Sequence, residues 1–493
     1  MKSGTFYVGE IAPLKDDRMI KGDAGTTLHY IGLMLQLFGV LVAIPIIVAL
    51  YFKDGFYVIV SFLTVSMLSL LVGYILRKFS SPEELNLRRA MVISAITWIT
   101  LATFGALPYN LCGVLPLEDA LFEGMSGFTG TGLTMFSSPI GIEWLASGYQ
   151  SILFWRSLTQ WIGGVGVIVL FIAIMVHGVG GAARGLYTAE GRAERIEPSI
   201  INTARWIWKI YVAYTFIGII LLWVLGMPLW DSINHTMTGL ATGGFSIKNL
   251  SIASYDSVAV ELMLIPIMVF GAISFALHKK LIELNFREFI RSPEIILMFS
   301  TLFVLTILLT VELQNFRIAS FNVISALTGT GFTNAKNMAQ WSDFSKILIT
   351  IPMIMGGGYG STSSALKLIR CVILLKSIIW LVKKDFLPRS AIVPLKVGRT
   401  VIKEEEITMA GLYAFVYLFI LTLCATIFMA HGHSMANSFF VIASAQGNVG
   451  LSVGLATPNL MIVEKITLIL AMWMGRLEIF PVMILLANIV KRS

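Results

Sequence analysis

The sequence predicts an all-α protein that crosses a membrane many times, and three observations carry this. Runs of about 20 apolar residues, enough for a membrane span, recur along the 493-residue chain. Hydrophobic residues make up 56% of it and charged residues only 13%, with a mean hydropathy of +0.82. Four small-residue clusters each fall between two apolar runs, which points to an internal repeat.

The first 24 residues are polar and mixed in charge, so they read as a cytoplasmic leader without a cleavable signal. Spans are expected at 28–52 and 56–76, joined by the short turn Lys53-Asp54-Gly55. No Gly-rich loop follows this pair, so it is an extra hairpin outside the repeat. After the charged loop from Arg77 to Arg89 the pattern becomes span, short helix, Gly loop, span. The expected spans are 91–111 and 152–176, 206–225 and 258–277, 295–311 and 347–381, and 407–429 and 462–490. The short helices are expected at 117–125, 229–240, 319–327 and 434–445. This gives about ten spans and four half-membrane helices. The matching division is 1–84 for the leader and hairpin, then units 85–200, 201–290, 291–400 and 401–493.

The first cluster is Ser126-Gly127-Phe128-Thr129-Gly130-Thr131-Gly132-Leu133-Thr134. Glycine takes positive φ without steric cost, so such a segment can turn successive carbonyl oxygens to one side. At membrane depth, irregular backbone is tolerated only inside protein or along a water-filled cavity. A ring of carbonyls can replace the hydration shell of a cation. One loop supplies a quarter of a ring, and the chain holds four. Thr131-Gly132-Leu133-Thr134 recurs as Gly243-Gly244-Phe245-Ser246, Thr330-Gly331-Phe332-Thr333 and, more loosely, Val449-Gly450-Leu451-Ser452. The glycines are separated by 112 (244 − 132), 87 (331 − 244) and 119 (450 − 331) residues. The competing reading is close helix packing through small residues; four clusters between paired spans favour the ring. Each short helix ends at its loop, and its C-terminal end carries partial negative charge. Four such ends favour a cation. The expected fold is therefore an N-terminal hairpin plus four pseudo-symmetric membrane–pore–membrane units around one ion path.

The net charge of +8 does not indicate nucleic acid, because the basic residues sit in short loops. Arg77, Lys78, Arg88, Arg89, Arg184, Arg192, Arg195, Lys279, Lys280, Arg287, Arg291, Lys383, Lys384, Arg389, Lys396, Lys491 and Arg492 fall on one side. The positive-inside rule makes that side cytoplasmic, with both termini inside and all four loops entering from outside. The loop from Cys112 to Tyr149 lacks Lys and Arg but carries Glu118, Asp119, Glu123 and Glu143. It reads either as a cation-concentrating mouth or as an ordinary outer loop. Cys112, Cys371 and Cys424 show no metal spacing.

With these residues in view, the chain resembles the TrkH/KtrB superfamily of potassium uptake proteins. The matching pieces are Phe122 through Gly132, Trp155-Arg156-Ser157-Leu158-Thr159-Gln160-Trp161-Ile162-Gly163-Gly164, Gly357-Gly358-Tyr359-Gly360-Ser361-Thr362 and Gly475-Arg476-Leu477-Glu478. The ten-span count favours the TrkH branch. The resemblance implies potassium uptake across the cell (plasma) inner membrane through a selectivity filter. It places the filter at Gly130, Thr131, Gly132, Thr242, Gly243, Gly244, Gly329, Thr330, Gly331, Asn448, Val449 and Gly450, with K+ held by their carbonyls. It also implies a homodimer in membrane lipid. A cytosolic TrkA-type ring of regulatory subunits is implied too, so that any nucleotide is the partner's and this chain has no cofactor. All four filter glycines are Gly, which under the resemblance suggests potassium rather than sodium.

The 347–381 span is interrupted by Gly356-Gly357-Gly358-Tyr359-Gly360-Ser361-Thr362-Ser363-Ser364, so a straight helix is not expected. No phosphate-loop Gly-Lys-Ser/Thr follows. The site is either a flexible packing kink or, by resemblance, the intramembrane gate, with Gly356, Gly357, Gly358, Gly360, Ser361 and Thr362 in it. Arg476 lies within the last span, where a charge is costly unless it faces a cavity or a partner. It reads as an interhelical ion pair or, by resemblance, as an electrostatic barrier below the filter. Glu478 is free to pair with another span. Arg156 reads as snorkelling to the interface. The six His are dispersed, and His431 and His433 show no acidic partner nearby, so no enzyme site emerges. A coupled secondary cation symporter (Na+ or H+ dependent) is the alternative. The basic inner loops at 178–204 and 383–403 are the expected docking surface for a partner.

Overall fold

The computed structural model describes residues 18–80, 85–136, 141–174, 186–189, 197, 199–388, 393–398 and 400–490. Most of the leader, much of the basic loop at 178–204 and part of that at 383–403 lie outside the described residues.

The leading hairpin is Arg18–Val42 continued by Ile44–Phe52, then Phe56–Lys78. Pro45 at the start of the continuing helix marks the break between the first two segments; proline offers no N–H and crowds the preceding turn. The two legs touch backbone to backbone. A Cβ at Gly32 would meet the Gly73 carbonyl, and a Cβ at Gly73 the Gly32 carbonyl, both under 3.0 Å. Small-residue packing therefore operates here, in the hairpin.

Four helical sets follow. Their first legs are Leu87–Leu111, Ile200–Val224, Pro293–Leu313 and Glu404–Ala430. Their short helices are Leu117–Thr129, Leu229–Leu240, Phe316–Thr328 and Met435–Gln446, of 13, 12, 13 and 12 residues. At 1.5 Å per residue each spans about 20 Å, short of a hydrocarbon core of about 30 Å. Pro116 and Pro228 precede the first two. Asn315 and Ser434 cap the others by accepting the Ile318 and Asn437 N–H groups.

All four second legs are broken, whereas the sequence led us to expect only the third to be. The first runs Gln150–Val165 and Val167–Ile174, split at Gly166 with φ 102°. The second, Val258–Ala272 and Phe275–Ile282, bends by 111°, and the fourth, Ile462–Arg476 and Phe480–Val490, by 114°. The third parts into Asp343–Met355 and Leu368–Asp385 around an irregular loop. Among the described residues, six helices are long and apolar enough to cross a membrane, and two bent pairs pass the same test. The broken first and third pairs complete the ten expected legs. Large apolar side chains such as Phe216, Val224, Phe303, Ile378 and Phe415 are exposed on the outside of the bundle, as lipid contact requires. The chain is a multi-pass membrane protein. An unexpected antiparallel hairpin pairs Leu395–Val397 with Thr400–Ile402.

Candidate ion pathway

The four glycine segments come together. Each leaves its short helix through the same backbone bond, from the N–H before the key glycine to a carbonyl five residues earlier. The pairs are Thr131 to Ser126 (2.9 Å), Gly243 to Thr238 (2.8 Å), Thr330 to Ser325 (2.9 Å) and Val449 to Ser444 (2.8 Å). The key glycines Gly132, Gly244, Gly331 and Gly450 have φ of 89°, 73°, 81° and 95°. A Cβ at Gly132 would strike the Gly243 carbonyl oxygen, one at Gly244 that of Thr330, one at Gly331 that of Val449, and one at Gly450 that of Thr131, all under 3.0 Å. Each glycine thus abuts the carbonyl of the next unit, and the fourth returns to the first. The contacts form a closed cycle of four carbonyls and four glycines. Glycine is required there twice over, by backbone conformation and by space.

Two positions before each key glycine the quarters differ. Gly130 and Gly329 end the first and third short helices in the left-handed region, at φ 68° and 75°. Thr242 and Asn448 occupy the second and fourth, at φ 51° and 52°, which costs a side-chain-bearing residue of order 1–3 kcal/mol. Their side chains bond to neighbouring groups. The Thr242 hydroxyl lies 2.7 Å from the Ala241 carbonyl and 3.1 Å from the Thr362 hydroxyl. Asn448 donates to the Thr131 hydroxyl (2.8 Å) and to the Met472 carbonyl (2.9 Å). The first and third quarters instead pair hydroxyls internally, Thr129 with Thr131 (2.7 Å) and Thr328 with Thr330 (2.8 Å).

Behind the cycle lie residues to which the sequence reading gave no part in the ring. The Gln160 amide donates to the Gly243 carbonyl (2.6 Å) and accepts the Phe245 N–H (2.9 Å), holding the second quarter from the first unit's leg. Arg156 does not snorkel: it is 1% exposed and paired with the fully buried Glu123 at 2.7 Å. It also donates to the Ser246 carbonyl (2.9 Å) and sits 4.0 Å from the Phe245 ring centroid. A buried pair keeps its charges only with such additional partners. Two opposite charges, each alone in an apolar stretch, were the available signal.

The outer-mouth expectation is corrected in the same way. Glu123 belongs to that pair, and buried Asp119 accepts from Lys465 at 2.5 Å. Glu118 and Glu143 alone of the four are exposed. His433 does have an acidic partner, Glu464 at 2.8 Å. In the 251–256 loop, burial and the hydrogen bond to Asp231 push the Tyr255 phenol well above its ordinary range, so it remains a neutral donor to that carboxylate. Burial likewise raises the Cys112 thiol to about 11, leaving it unreactive. All three cysteines are free.

Beneath the cycle, the irregular stretch of the third unit is sewn to the second. The Gly358 N–H bonds the Ala272 carbonyl (2.8 Å), the Thr362 N–H bonds the Gly271 carbonyl (3.1 Å), and the Phe275 N–H reaches the Gly360 carbonyl (3.5 Å). The Thr362 hydroxyl bonds the Gly271 and Leu240 carbonyls, and Ser361 bonds Gly358 at 2.6 Å. Gly356 has φ 70°, and Gly357 packs on Ala272. Arg476 reaches this layer from the fourth unit. It donates to the Thr362 carbonyl (2.9 Å), to the Gly164 carbonyl (2.8 Å) and, more closely still, to that of Gly163. Units one and three stand opposite each other in the cycle, and this side chain from unit four binds both. Glu478 pairs instead with Arg370, whose guanidinium stacks 4.1 Å from the Tyr413 ring centroid.

The family model for TrkH, described as a cation transport protein, matches residues 58–311 and 292–492. An uncharacterized cation transporter of Methanocaldococcus jannaschii is 36% identical over 473 residues, covering 96% of this chain and 97% of that one. The Trk system potassium uptake protein TrkH of Halomonas elongata is 32% identical over 483 residues, covering 93% and 97%. The crystal structure of the potassium transporter TrkH from Vibrio parahaemolyticus superposes with a TM-score of 0.81 at 28% identity, covering 94% of this chain and 98% of that one. A cycle closed by four repeats, an arginine of the fourth repeat bound to the first and third, and these whole-length matches have one common source: the chain belongs to the TrkH family of cation transport proteins.

Proposed function

We propose that the chain takes up potassium across the cell's inner membrane through a filter formed by the four glycine segments. The carrying observation is the closed cycle in which each key glycine meets the next unit's carbonyl. Four short-helix C-termini end beside it and favour a cation. Residues 130–132, 242–244, 329–331 and 448–450 would shed the ion's water and hold it by carbonyl oxygens. The loop at Gly356, Gly357, Gly358, Gly360, Ser361 and Thr362, together with Arg476, would gate the path below. The broken third leg and the guanidinium that bridges units one and three support that reading. The four units are taken as 85–200, 201–290, 291–400 and 401–493, after the hairpin.

A symporter driven by protons or sodium needs a carboxylate able to exchange its cation. Five carboxylates favour the channel-like reading, because Glu123, Asp119, Glu261, Glu464 and Glu478 each hold a basic side chain, whereas the buried Asp54 and Glu294 accept from backbone N–H groups. A homodimer with cytoplasmic termini and a ring of nucleotide-binding regulatory subunits completes the proposal. Recording from purified, reconstituted protein with potassium and sodium on opposite sides tests it. A reversal potential displaced toward potassium is expected. Flux that requires a proton or sodium gradient would replace this reading with the symporter.

A further inference from the structure

A second fourfold pattern lies just past the key glycines. Thr134, Ser246, Thr333 and Ser452 each stand two residues beyond one (134 − 132, 246 − 244, 333 − 331, 452 − 450). In all four, the hydroxyl accepts a backbone N–H from two residues further on. These donors are Phe136 (3.1 Å), Lys248 (3.0 Å), Ala335 (3.0 Å) and Gly454 (3.0 Å). The turn after the cycle is therefore built identically four times.

The hydroxyl proton is used in only three of these quarters in the same way. Nine residues before the key glycine, on the short helix, stand Glu123, His235, Asn322 and Val441 (132 − 123, 244 − 235, 331 − 322, 450 − 441). Thr134 donates to the Glu123 carboxylate at 3.0 Å, and Thr333 donates to the Asn322 carbonyl at 2.7 Å. His235 Nδ1 lies 2.8 Å from the Asp231 carbonyl, so that nitrogen carries the proton. Its Nε2 then accepts from Ser246 at 2.9 Å. A carboxylate, an imidazole and an amide thus do one job, offering an acceptor to a loop hydroxyl. The fourth position is Val441, fully buried and without a polar atom.

We infer that Glu123, His235 and Asn322 are positioning residues that clamp three quarters of the filter to their short helices. Val441 leaves the fourth quarter without this clamp, its Gly450 N–H being held instead by the Ser444 hydroxyl at 3.0 Å, and the ring's discrimination between potassium and sodium rests on the three quarters clamped at the loop hydroxyl. This rests on the filter reading above. It also accounts for the looser sequence of the fourth quarter, since a segment held by a different bond need not keep the residues of the others.

The test uses the full-length protein reconstituted in vesicles, with potassium–sodium competition as the readout. Asn322→Val copies the fourth quarter's chemistry into the third and is expected to lower the potassium-to-sodium ratio roughly three- to tenfold, the span of one buried hydrogen bond. Thr333→Val should lower it at least as far, and Thr333→Ser, which keeps the hydroxyl, should restore most of it. The Asn322→Val/Thr333→Val double variant should lower the ratio by less than the two single effects combined, because both substitutions break the Thr333–Asn322 bond while Asn322→Val also loses its bond to Asn334. Gly331→Ala is the control on the filter itself. If Gly331→Ala changes the ratio and the clamp variants do not, the clamp is wrong and the filter stands. If Gly331→Ala leaves the ratio unchanged, the filter reading fails first. A fall in protein yield or thermal stability of Asn322→Val with an unchanged ratio would reduce the clamp to a folding contact and overturn the proposal. The Thr333→Val and Thr333→Ser pair decides the question should Asn322→Val not fold.

Discussion

The first and third quarters of the cycle and the second and fourth solve the same problem differently. Gly130 and Gly329 enter it with no side chain, whereas Thr242 and Asn448 enter at nearly the same positive φ and anchor themselves by hydrogen bonds to neighbouring units. Two residues later all four converge on glycine, because there a neighbour's carbonyl occupies the space of a Cβ. The lesson is that backbone conformation alone does not enforce glycine in this ring. A positive φ is tolerated where bonds offset it, and glycine becomes obligatory only where conformation and crowding coincide.

Substitutions can break or sharpen this contrast, and the largest effect is expected at Gly132. Gly132→Ser adds a side chain against the Gly243 carbonyl at φ 89°. Overpacking and strain together cost about 3 kcal/mol. The preference for potassium over sodium should fall at least about tenfold in ion competition; an unaltered preference would count against the ring. Asn448→Ala comes next. It keeps the positive φ but loses two hydrogen bonds, and should destabilise the detergent-purified protein by about 2 kcal/mol. Asn448→Gly, which relieves the φ, should cost visibly less. Thermal unfolding that ranks the two the other way would refute the compensation argument.

Arg476→Ala removes the guanidinium that bridges units one and three and that the proposal places in the ion path. Flux through reconstituted protein should rise roughly three- to tenfold, the effect of about 1 kcal/mol of repulsion between the guanidinium and a passing cation. Equal flux would leave Arg476 as a strap between units and nothing more. The smallest effect is expected at Gly130→Ala. A Cβ there meets nothing nearer than 3.9 Å, so only the left-handed backbone resists, at about 1 kcal/mol. Ion preference should stay within about threefold of the unaltered protein. A loss as large as that of Gly132→Ser would erase the distinction between the two glycines.

The spans, the short helices and the glycine segments were legible in the sequence because each has a local signature: apolar length, repeat interval, small residues. Less visible was whatever depends on a distant partner. The second and fourth legs break at Ile273-Ser274 and Leu477-Glu478-Ile479, where no glycine announces a bend. The freed Ala272 and Gly271 carbonyls are taken up by the Gly358 and Thr362 N–H groups, from a loop some 90 residues downstream. Arg156 looked like an interfacial residue because hydropathy cannot see Glu123, 33 positions earlier. His433 looked isolated because Glu464 lies 31 positions later. Gln160 sat inside a motif that matched the family, yet only the fold shows it gripping Gly243.

The central claim is that the Thr131, Gly243, Thr330 and Val449 carbonyls encircle a single site for a dehydrated monovalent cation. Thallium scatters anomalously and substitutes for potassium, so a diffraction experiment on crystals grown with thallium in place of potassium tests this directly. The account predicts an anomalous peak on the axis within the four segments, weakened when potassium is added back. Peaks only elsewhere in the protein, with that axis empty, would contradict it.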